Sequence, residues 1–183
     1  MSNSFITNKN KYLSDIINGI LPKTNAVDFL VGYFYYSGYK QLSDQLKDKH
    51  VRILVGLDID IRMAKYVCEV ENFRQKLLSR GVLKEQYYSE FVKAFNDTDF
   101  LDTAEKIEQF KMFYAKILDG TLEIRKTLDP CHSKMYLFVY NESMNEGGEL
   151  PGVMITGSSN LSYQGMQGRL ELNARFNDKA DYD

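Results

Sequence analysis

A histidine and a lysine spaced two residues apart are the side chains of this sequence best suited to chemistry. They are His132 and Lys134, and a polar turn, Gly157-Ser158-Ser159-Asn160, follows after a further apolar run. The apolar residues after Lys134 predict a strand over 134–140, and on a strand residues i and i+2 project from the same face. The sequence therefore predicts an imidazole beside a fixed ammonium group.

Phosphodiester transfer through histidine requires that pairing. The imidazole attacks phosphorus, and cationic or hydrogen-bond-donating side chains stabilise the charge that spreads over the non-bridging oxygens. The predicted phosphate-binding residues are Lys134, Ser158, Ser159 and Asn160, with His132 as nucleophile or acid. The motif thus favours a phosphate-transfer site.

A purely structural interpretation exists for each part of the motif. Lys134 suits a solvated strand edge, and Gly, Ser and Asn dominate ordinary turns for backbone reasons. Neither explanation accounts for the occurrence of the lysine and the polar turn together, separated by the length of a strand and a loop. The second histidine, His50, directly precedes a predicted strand, where a surface loop is expected rather than a second catalytic histidine.

These residues resemble the signature of the phospholipase D superfamily, which is H-x-K, an acidic residue five positions beyond the lysine, and then G-S-x-N. The positions that match are His132, Lys134, Gly157, Ser158 and Asn160. The acidic position of the family falls on Val139. The resemblance implies a layered α/β fold and a phosphohistidine mechanism that uses neither metal nor cofactor.

One branch of the superfamily places its acidic residue elsewhere. In metal-independent restriction nucleases, and in similar domains at the head of bacterial helicases, the acidic residue lies eleven positions after the asparagine of the motif. In this sequence that position is Glu171. The alternation in 170–176 predicts a strand with Glu171, Asn173 and Arg175 on one face. The resemblance implies that Glu171 orients His132, although alternation alone also predicts a plain surface glutamate there.

The resemblance further implies a nuclease acting on nucleic acid, with DNA expected, and a catalytic set of His132, Lys134, Asn160 and Glu171. Superfamily enzymes use two H-x-K motifs, and this chain has one. A twofold homodimer that brings two motifs together is therefore expected. Fused helicase domains are expected in a longer protein. The alternative is a non-catalytic DNA-binding or dimerisation module of a helicase-like protein.

Other chemistries lack the residues they need. Cys131 beside His132 could be a thiol nucleophile, but adjacent strand residues point to opposite faces. Two histidines and two cysteines show no zinc-ligand spacing, and the glycine-rich phosphate and dinucleotide motifs are absent. Asp58 and Asp60 could hold metal ions for hydrolysis, but no further acidic or histidine partner accompanies them.

Length and composition predict one domain over 1–183, with 44% hydrophobic residues, and the resemblance implies that this domain is phospholipase D-like. Two cysteines give no disulfide framework, which favours a reducing cytoplasm. No signal peptide or membrane-spanning run is present, so no membrane partner is expected. The net charge of −2 argues against clamping long duplex DNA. A small basic pocket is expected from five cations near the motif: Arg125, Lys126, Lys134, Arg169 and Arg175.

The hydrophobic periodicity predicts a mixed β-sheet flanked by helices, with a helical insertion around 61–120. A helix is expected from Tyr12 to Leu21 and another over 37–46. Strands are expected over 26–34, 51–57, 121–126, 134–140, 153–156 and 170–176. A flexible connection is expected over 145–149.

Overall fold

The computed structural model describes residues 4–9, 11–59, 104–141 and 151–177. Seven strands form one sheet in these ranges: β1 (Ser4–Ile6), β2 (Thr24–Phe34), β3 (His50–Ile59), β4 (Leu122–Lys126), β5 (Met135–Tyr140), β6 (Gly152–Gly157) and β7 (Asn173–Phe176). The helices are α1 (Leu13–Ile20), α2 (Tyr36–Tyr39), α3 (Ser43–Leu46) and α4 (Ala104–Asp119). A short π-helical turn spans Gln164–Gly168.

The sheet is mixed, and β2 lies where its two halves meet. The strand order is β1-β7-β6-β5-β2-β3-β4. Strands β2, β3 and β4 run parallel, whereas β5 pairs with β2 antiparallel and the strands beyond it continue antiparallel. The ends of β2, β3 and β6 therefore lie at the same end of the sheet as the starts of β5 and β7.

Alternating apolar residues on the strands and one face of each helix build the core. The strand contribution includes Val27, Phe29, Val31, Val51, Ile53 and Val55. The helices add Leu13 and Ile17 from α1, and Phe110, Phe113, Tyr114 and Ile117 from α4. The protein is thus a mixed α/β structure in which helices flank a seven-stranded sheet.

An aromatic cluster fixes the chain where it leaves β2. The Tyr36 and Phe113 rings lie 5.3 Å apart, and the Tyr39 and Phe113 rings 4.9 Å apart, both edge to face. Edge-to-face packing is favourable for aromatic rings. Helix α2 is therefore anchored to α4, immediately after the part of β2 that borders the predicted site.

Most of the predicted elements are confirmed. Helix α1 and strands β2 to β6 begin and end within two residues of the predicted bounds. The C-terminal part of the predicted helical region is helix α4, and its residues Phe110 and Tyr114 are buried in the core. Long apolar runs with clear alternation or helical spacing account for this agreement.

Three predictions of local structure are wrong. Residues 37–46 form two single helical turns separated by a turn at 40–42, because the chain bends so that Leu42 and Leu46 both enter the core. The last strand begins at Asn173, not at Leu170, so Glu171 precedes it. The predicted strand relation between His132 and Lys134 is wrong as well, because both residues lie in the segment before β5, which begins at Met135. Strand β1 was not predicted.

Some predictions fall outside the described residues. These are the first part of the helical insertion, Asp60, and the connection over 145–149. In the ranges that are described, no helix is both long and apolar enough to cross a membrane.

Candidate active site

The predicted site residues lie at one end of the sheet, where β2 ends and β5 begins. Leu30 of β2 pairs with Met135, and Met135 pairs with Thr156 of β6. Gly157 in turn pairs with Asn173. This register brings the segment that carries His132 and Lys134 beside the loop Gly157–Asn160, because antiparallel neighbours alternate their ends.

Gly32 provides the surface on which the histidine and the asparagine meet. A Cβ atom at Gly32 would lie 3.0 Å from His132 Cδ2 and 3.3 Å from Asn160 Oδ1. The Tyr33 amide donates to Asn160 Oδ1 at 2.9 Å, and the Tyr33 ring lies edge to face with the His132 ring at 6.1 Å. The predicted pair of His132 and Asn160 is therefore assembled around β2.

A β-bulge marks the same point of the sheet. Val31 pairs with Val55, but Tyr33 pairs with Asp58, so two residues of β3, Gly56 and Leu57, oppose the single residue Gly32. Bulges bend a strand and change the direction of its side chains, and they are frequent beside active sites. The irregularity lies directly beneath the segment that carries His132.

Lys134 is buried, with 4% of its side chain exposed. Its Nζ donates to the carbonyl oxygen of His132 at 2.5 Å. Burial lowers the pKa of Lys134, and the negative charge of Glu171 opposes that shift. The ammonium group thus lies close to both His132 and Glu171, within the site rather than on a solvated strand edge.

Glu171 contacts the polar loop. The Ser158 hydroxyl donates to the Glu171 carboxylate, and the Leu172 amide donates to Ser158 Oγ at 3.0 Å. The Ser158 amide donates back to the Leu172 carbonyl at 3.0 Å. The predicted contact of Glu171 with His132 stays a prediction, because the contact partner of its carboxylate in this structure is Ser158.

Ser159 has a structural position beneath the loop. It is fully buried, and its hydroxyl accepts a hydrogen bond from Asn173 Nδ2 at 2.9 Å. The Tyr136 hydroxyl donates to the Ser159 carbonyl at 2.9 Å. Because its hydroxyl is occupied in the core, Ser159 supports the loop that presents Ser158 and Asn160.

Asn160 is held by its backbone as well as by its side chain. The Ser162 amide donates to the Asn160 carbonyl at 2.8 Å. A Cβ atom at Gly165 would lie 2.3 Å from that same carbonyl oxygen, so the π-helical turn packs directly against it. The close approach requires glycine at this position.

Cys131 packs against a different strand from His132. Its amide donates to the Gly56 carbonyl at 3.0 Å, whereas His132 lies over Gly32. A hydrogen bond with the Ser133 side chain lowers the pKa of the Cys131 thiol. The two neighbouring residues therefore lie over β3 and β2 respectively.

His50 lies at the opposite end of the sheet. It is exposed, begins β3 and pairs with Ala26, six residues before Gly32. Six strand residues span about 20 Å at roughly 3.3 Å each. His50 of the same chain is therefore too distant to act with His132.

The five cations near the motif do not form one pocket. Arg125 lies on the edge strand β4 and pairs with Glu123, whereas Arg175 lies on β7 and donates to Asn177. Five strand spacings separate β4 from β7, or about 24 Å at roughly 4.8 Å each. The prediction of a joint basic pocket is wrong, because Arg125 and Lys126 belong to the other edge of the sheet.

A groove of about 540 Å³ extends from the site. Asn160 and Glu171 line it together with Tyr33, and beyond them lie Tyr35, Tyr163 and Arg169.

Asp58 is exposed and its carboxylate accepts from the Ile59 amide. No cluster of three or more metal-ligating side chains exists among the described residues.

Four residues of this site were given no role in it by the sequence analysis. They are Gly32, Tyr33, Tyr136 and Asn173. A glycine inside an apolar strand is a signal for a bulge or a close backbone approach, and Gly32 carries that signal. The contacts of Tyr136 and Asn173 depend on the pairing of β5, β6 and β7, which no local pattern specifies.

The protein matches no known family model, and its sequence is similar to that of no curated protein. The residues of the site and their contacts are therefore the grounds on which a function can be assigned.

Proposed function

We propose that this protein is a phosphodiesterase of nuclease type with a phospholipase D-like fold, acting on nucleic acid through a phosphohistidine at His132. The observation that carries the proposal is the meeting of His132 and Asn160 over Gly32, with buried Lys134 bonded to the His132 carbonyl. A nucleophile, a cation and an amide at one point suit the attack on phosphorus and the charge that develops there.

The chemistry proceeds in two displacements. A neutral His132 imidazole nitrogen attacks phosphorus, the phosphorus–oxygen bond to the leaving nucleotide breaks, and the leaving oxygen takes a proton from a general acid. Water then attacks the phosphorus of the phosphohistidine and gives its proton to the deprotonated general acid. The phosphorus–nitrogen bond to His132 breaks, which frees the imidazole and releases the phosphate ester. Lys134 and Asn160 hold the non-bridging oxygens, and neither step requires a metal ion.

The general acid is proposed to be the partner subunit's His132 in a twofold homodimer. The chain contains two histidines, and His50 lies about 20 Å along the sheet from the site. A twofold axis beside the site places two copies of the same motif face to face. The proposal includes an association of this protein with a helicase or a restriction system.

A non-catalytic nucleic-acid-binding or dimerisation module is the second candidate. This candidate is favoured because two of the side chains predicted to donate hydrogen bonds to phosphate donate them within the protein instead. Lys134 Nζ donates to the His132 carbonyl, and the Ser158 hydroxyl donates to Glu171. The position of the superfamily acid is Val139, which pairs with Gly152 within β5 and β6, away from the site. Catalysis requires these donors to turn toward a phosphate.

Cleavage of labelled single- and double-stranded DNA and RNA in the presence of EDTA separates the two candidates. The phosphodiesterase proposal predicts cleavage that the chelator leaves unchanged, that His132→Ala abolishes, and that His50→Ala retains. If none of the substrates is cleaved but His132→Ala weakens DNA binding, the binding module is correct. Cleavage that requires added Mg²⁺ or Mn²⁺ and survives His132→Ala would refute the histidine mechanism.

A further inference from the structure

The groove beside the candidate site exposes two aromatic rings that are not packed in the hydrophobic core. Tyr35 is 42% exposed and Tyr163 is 49% exposed, and both line the groove. Burial of an aromatic ring is favourable, so two exposed rings in one concave surface indicate contact with a ligand.

The backbone on both sides of the groove is fixed. The Tyr35 amide donates to the Leu161 carbonyl at 2.9 Å, and the Tyr163 amide donates to Ser37 Oγ at 3.3 Å. A Cβ atom at Gly38 would lie 2.3 Å from the Ser162 amide nitrogen, so the two walls are in direct contact. The rings are therefore presented from a rigid base.

The wall with Arg169 is fixed from below by a buried asparagine. Asn8 Nδ2 donates to the carbonyl oxygens of Gly165 and Arg169, at 2.9 and 3.1 Å, and Asn8 Oδ1 accepts from the Leu13 amide. The Arg169 side chain is exposed at the groove. One cation beside two aromatic rings matches the chemistry of a nucleotide, which has one phosphate and one π-face per unit.

Base pairing decides which nucleic acid fits. In a duplex the faces of the bases are stacked on one another and unavailable to protein rings, whereas unpaired bases can stack on tyrosine. Among the described residues that line the groove, the one lysine or arginine is Arg169, whereas a duplex tract requires several basic side chains. The groove thus favours an unpaired strand.

We propose that the groove formed by Tyr35, Tyr163 and Arg169 is a subsite that stacks an unpaired base of single-stranded nucleic acid next to the phosphate held at Asn160. This inference rests on the proposed function for the identity of the neighbouring phosphate site. It specifies single strands as the substrate class. DNA and RNA share the chemistry that it recognises.

Fluorescence anisotropy of short labelled oligonucleotides on the full chain tests the subsite. His132→Ala is the background, so that cleavage does not interfere. We expect single-stranded DNA or RNA to bind more tightly than a hairpin duplex of the same sequence. Tyr163→Leu and Tyr35→Leu should each weaken single-strand binding by about 5- to 150-fold, the value of one stacked base.

Two control variants isolate the role of the ring. Tyr163→Phe keeps the π-face and should retain most of the affinity. Tyr12→Leu removes a tyrosine of similar exposure, 43%, that precedes α1 and does not line the groove, and should change nothing. Separate DNA and RNA strands show whether the 2′-hydroxyl contributes.

The possible outcomes separate this inference from the proposed function. Single-strand binding that depends on Tyr163, in a protein that cleaves nothing, supports the subsite and removes the phosphodiesterase. Cleavage by the wild-type chain with equal affinity for single strand and duplex, unchanged by Tyr163→Leu, overturns the subsite and leaves the phosphodiesterase intact. Absence of binding to any oligonucleotide overturns the subsite as well.

Discussion

At the scale of single residues, the burial of Lys134 has a consequence for pH dependence. Burial lowers its pKa below the ordinary lysine value of 10.5, so the amine becomes neutral at a lower pH than an exposed lysine does. A neutral amine cannot stabilise phosphate charge. We therefore expect phosphate affinity to fall as pH rises through the lowered Lys134 pKa, before exposed lysines titrate.

Calorimetry with inorganic phosphate between about pH 7 and about pH 10 measures this fall. Lys134→Arg should flatten the profile, because a guanidinium group stays charged throughout. Lys126→Ala, which removes an exposed cation on β4, should leave it unchanged. A profile that Lys134→Arg does not alter would show that Lys134 does not hold the anion.

A substitution at Gly32 should affect the site more than the stability of the fold. The atoms that a Cβ at Gly32 would meet belong to His132 and Asn160, 3.0 Å and 3.3 Å away, and side chains can shift by the required few tenths of an ångström. We expect Gly32→Ala to cost about 1 kcal/mol of unfolding free energy or less. Activity should fall by about 10- to 100-fold, because the nucleophile His132 and the phosphate-binding Asn160 are displaced.

Gly56→Ala is the matched comparison on the neighbouring strand. Its Cβ would lie 1.8 Å from the Cys131 carbonyl oxygen, which is backbone and cannot move away cheaply. Urea unfolding should show a loss near the upper end of about 1–3 kcal/mol. If Gly32→Ala destabilises the fold as much as Gly56→Ala, the space over Gly32 belongs to the fold and not to the site.

At the scale of elements, Tyr136 connects β5 to the loop that follows β6. Its hydroxyl is the donor to the buried Ser159 carbonyl, at 2.9 Å. Burial raises the pKa of this hydroxyl, so it remains a donor. Tyr136→Phe should reduce the unfolding free energy by about 1–3 kcal/mol, because a buried acceptor loses its partner.

The same variant should loosen Asn160 and weaken phosphate binding, which calorimetry measures alongside urea unfolding. Tyr140→Phe is the control, since Tyr140 ends β5 away from the loop. A loss of stability with unchanged phosphate affinity would mean that the Tyr136 bond stabilises the core without supporting the site.

The sequence could predict the elements that have strong periodicity. Strands β2 and β3 were predictable because their apolar residues alternate and continue for several residues. Strand β1 was not, since it has three residues and exposes Phe5 by 71%. The start of β7 was misplaced because Leu170 and Leu172 follow a strand pattern but are exposed, and the hydrogen bonds of Ser158 hold that segment instead.

The candidate site could be predicted only for the residues within a compact motif. The types and spacing of His132, Lys134 and Asn160 indicate phosphate chemistry, and the structure places them at one end of the sheet. The hydrogen bond between Ser158 and Glu171, and the burial of Ser159 under Asn173, depend on contacts between separate strands. Those contacts have no local signal in the sequence.

At the scale of the whole molecule, the proposed reaction requires two chains. His132 needs a general acid, and His50 of the same chain lies about 20 Å away. We expect analytical ultracentrifugation to show a dimer at working concentrations. A strict monomer with full activity would remove the two-histidine model.

Subunit mixing tests the shared site directly. After exchange at equal amounts of wild-type and His132→Ala chains, about a quarter of the dimers contain two wild-type subunits. If each site needs both histidines, activity per wild-type chain should fall by about half. Unchanged activity per wild-type chain would mean that each chain works alone.

Detection of the covalent intermediate is the sharpest test of the phosphohistidine mechanism. Wild-type protein mixed with labelled oligonucleotide in EDTA, and denatured in alkali during turnover, should carry a phosphate-linked nucleotide on His132 that peptide mass spectrometry locates. His132→Ala should carry none, and His50→Ala should match the wild type. Cleavage that proceeds without any adduct, or an adduct on a residue other than His132, would contradict the phosphohistidine mechanism.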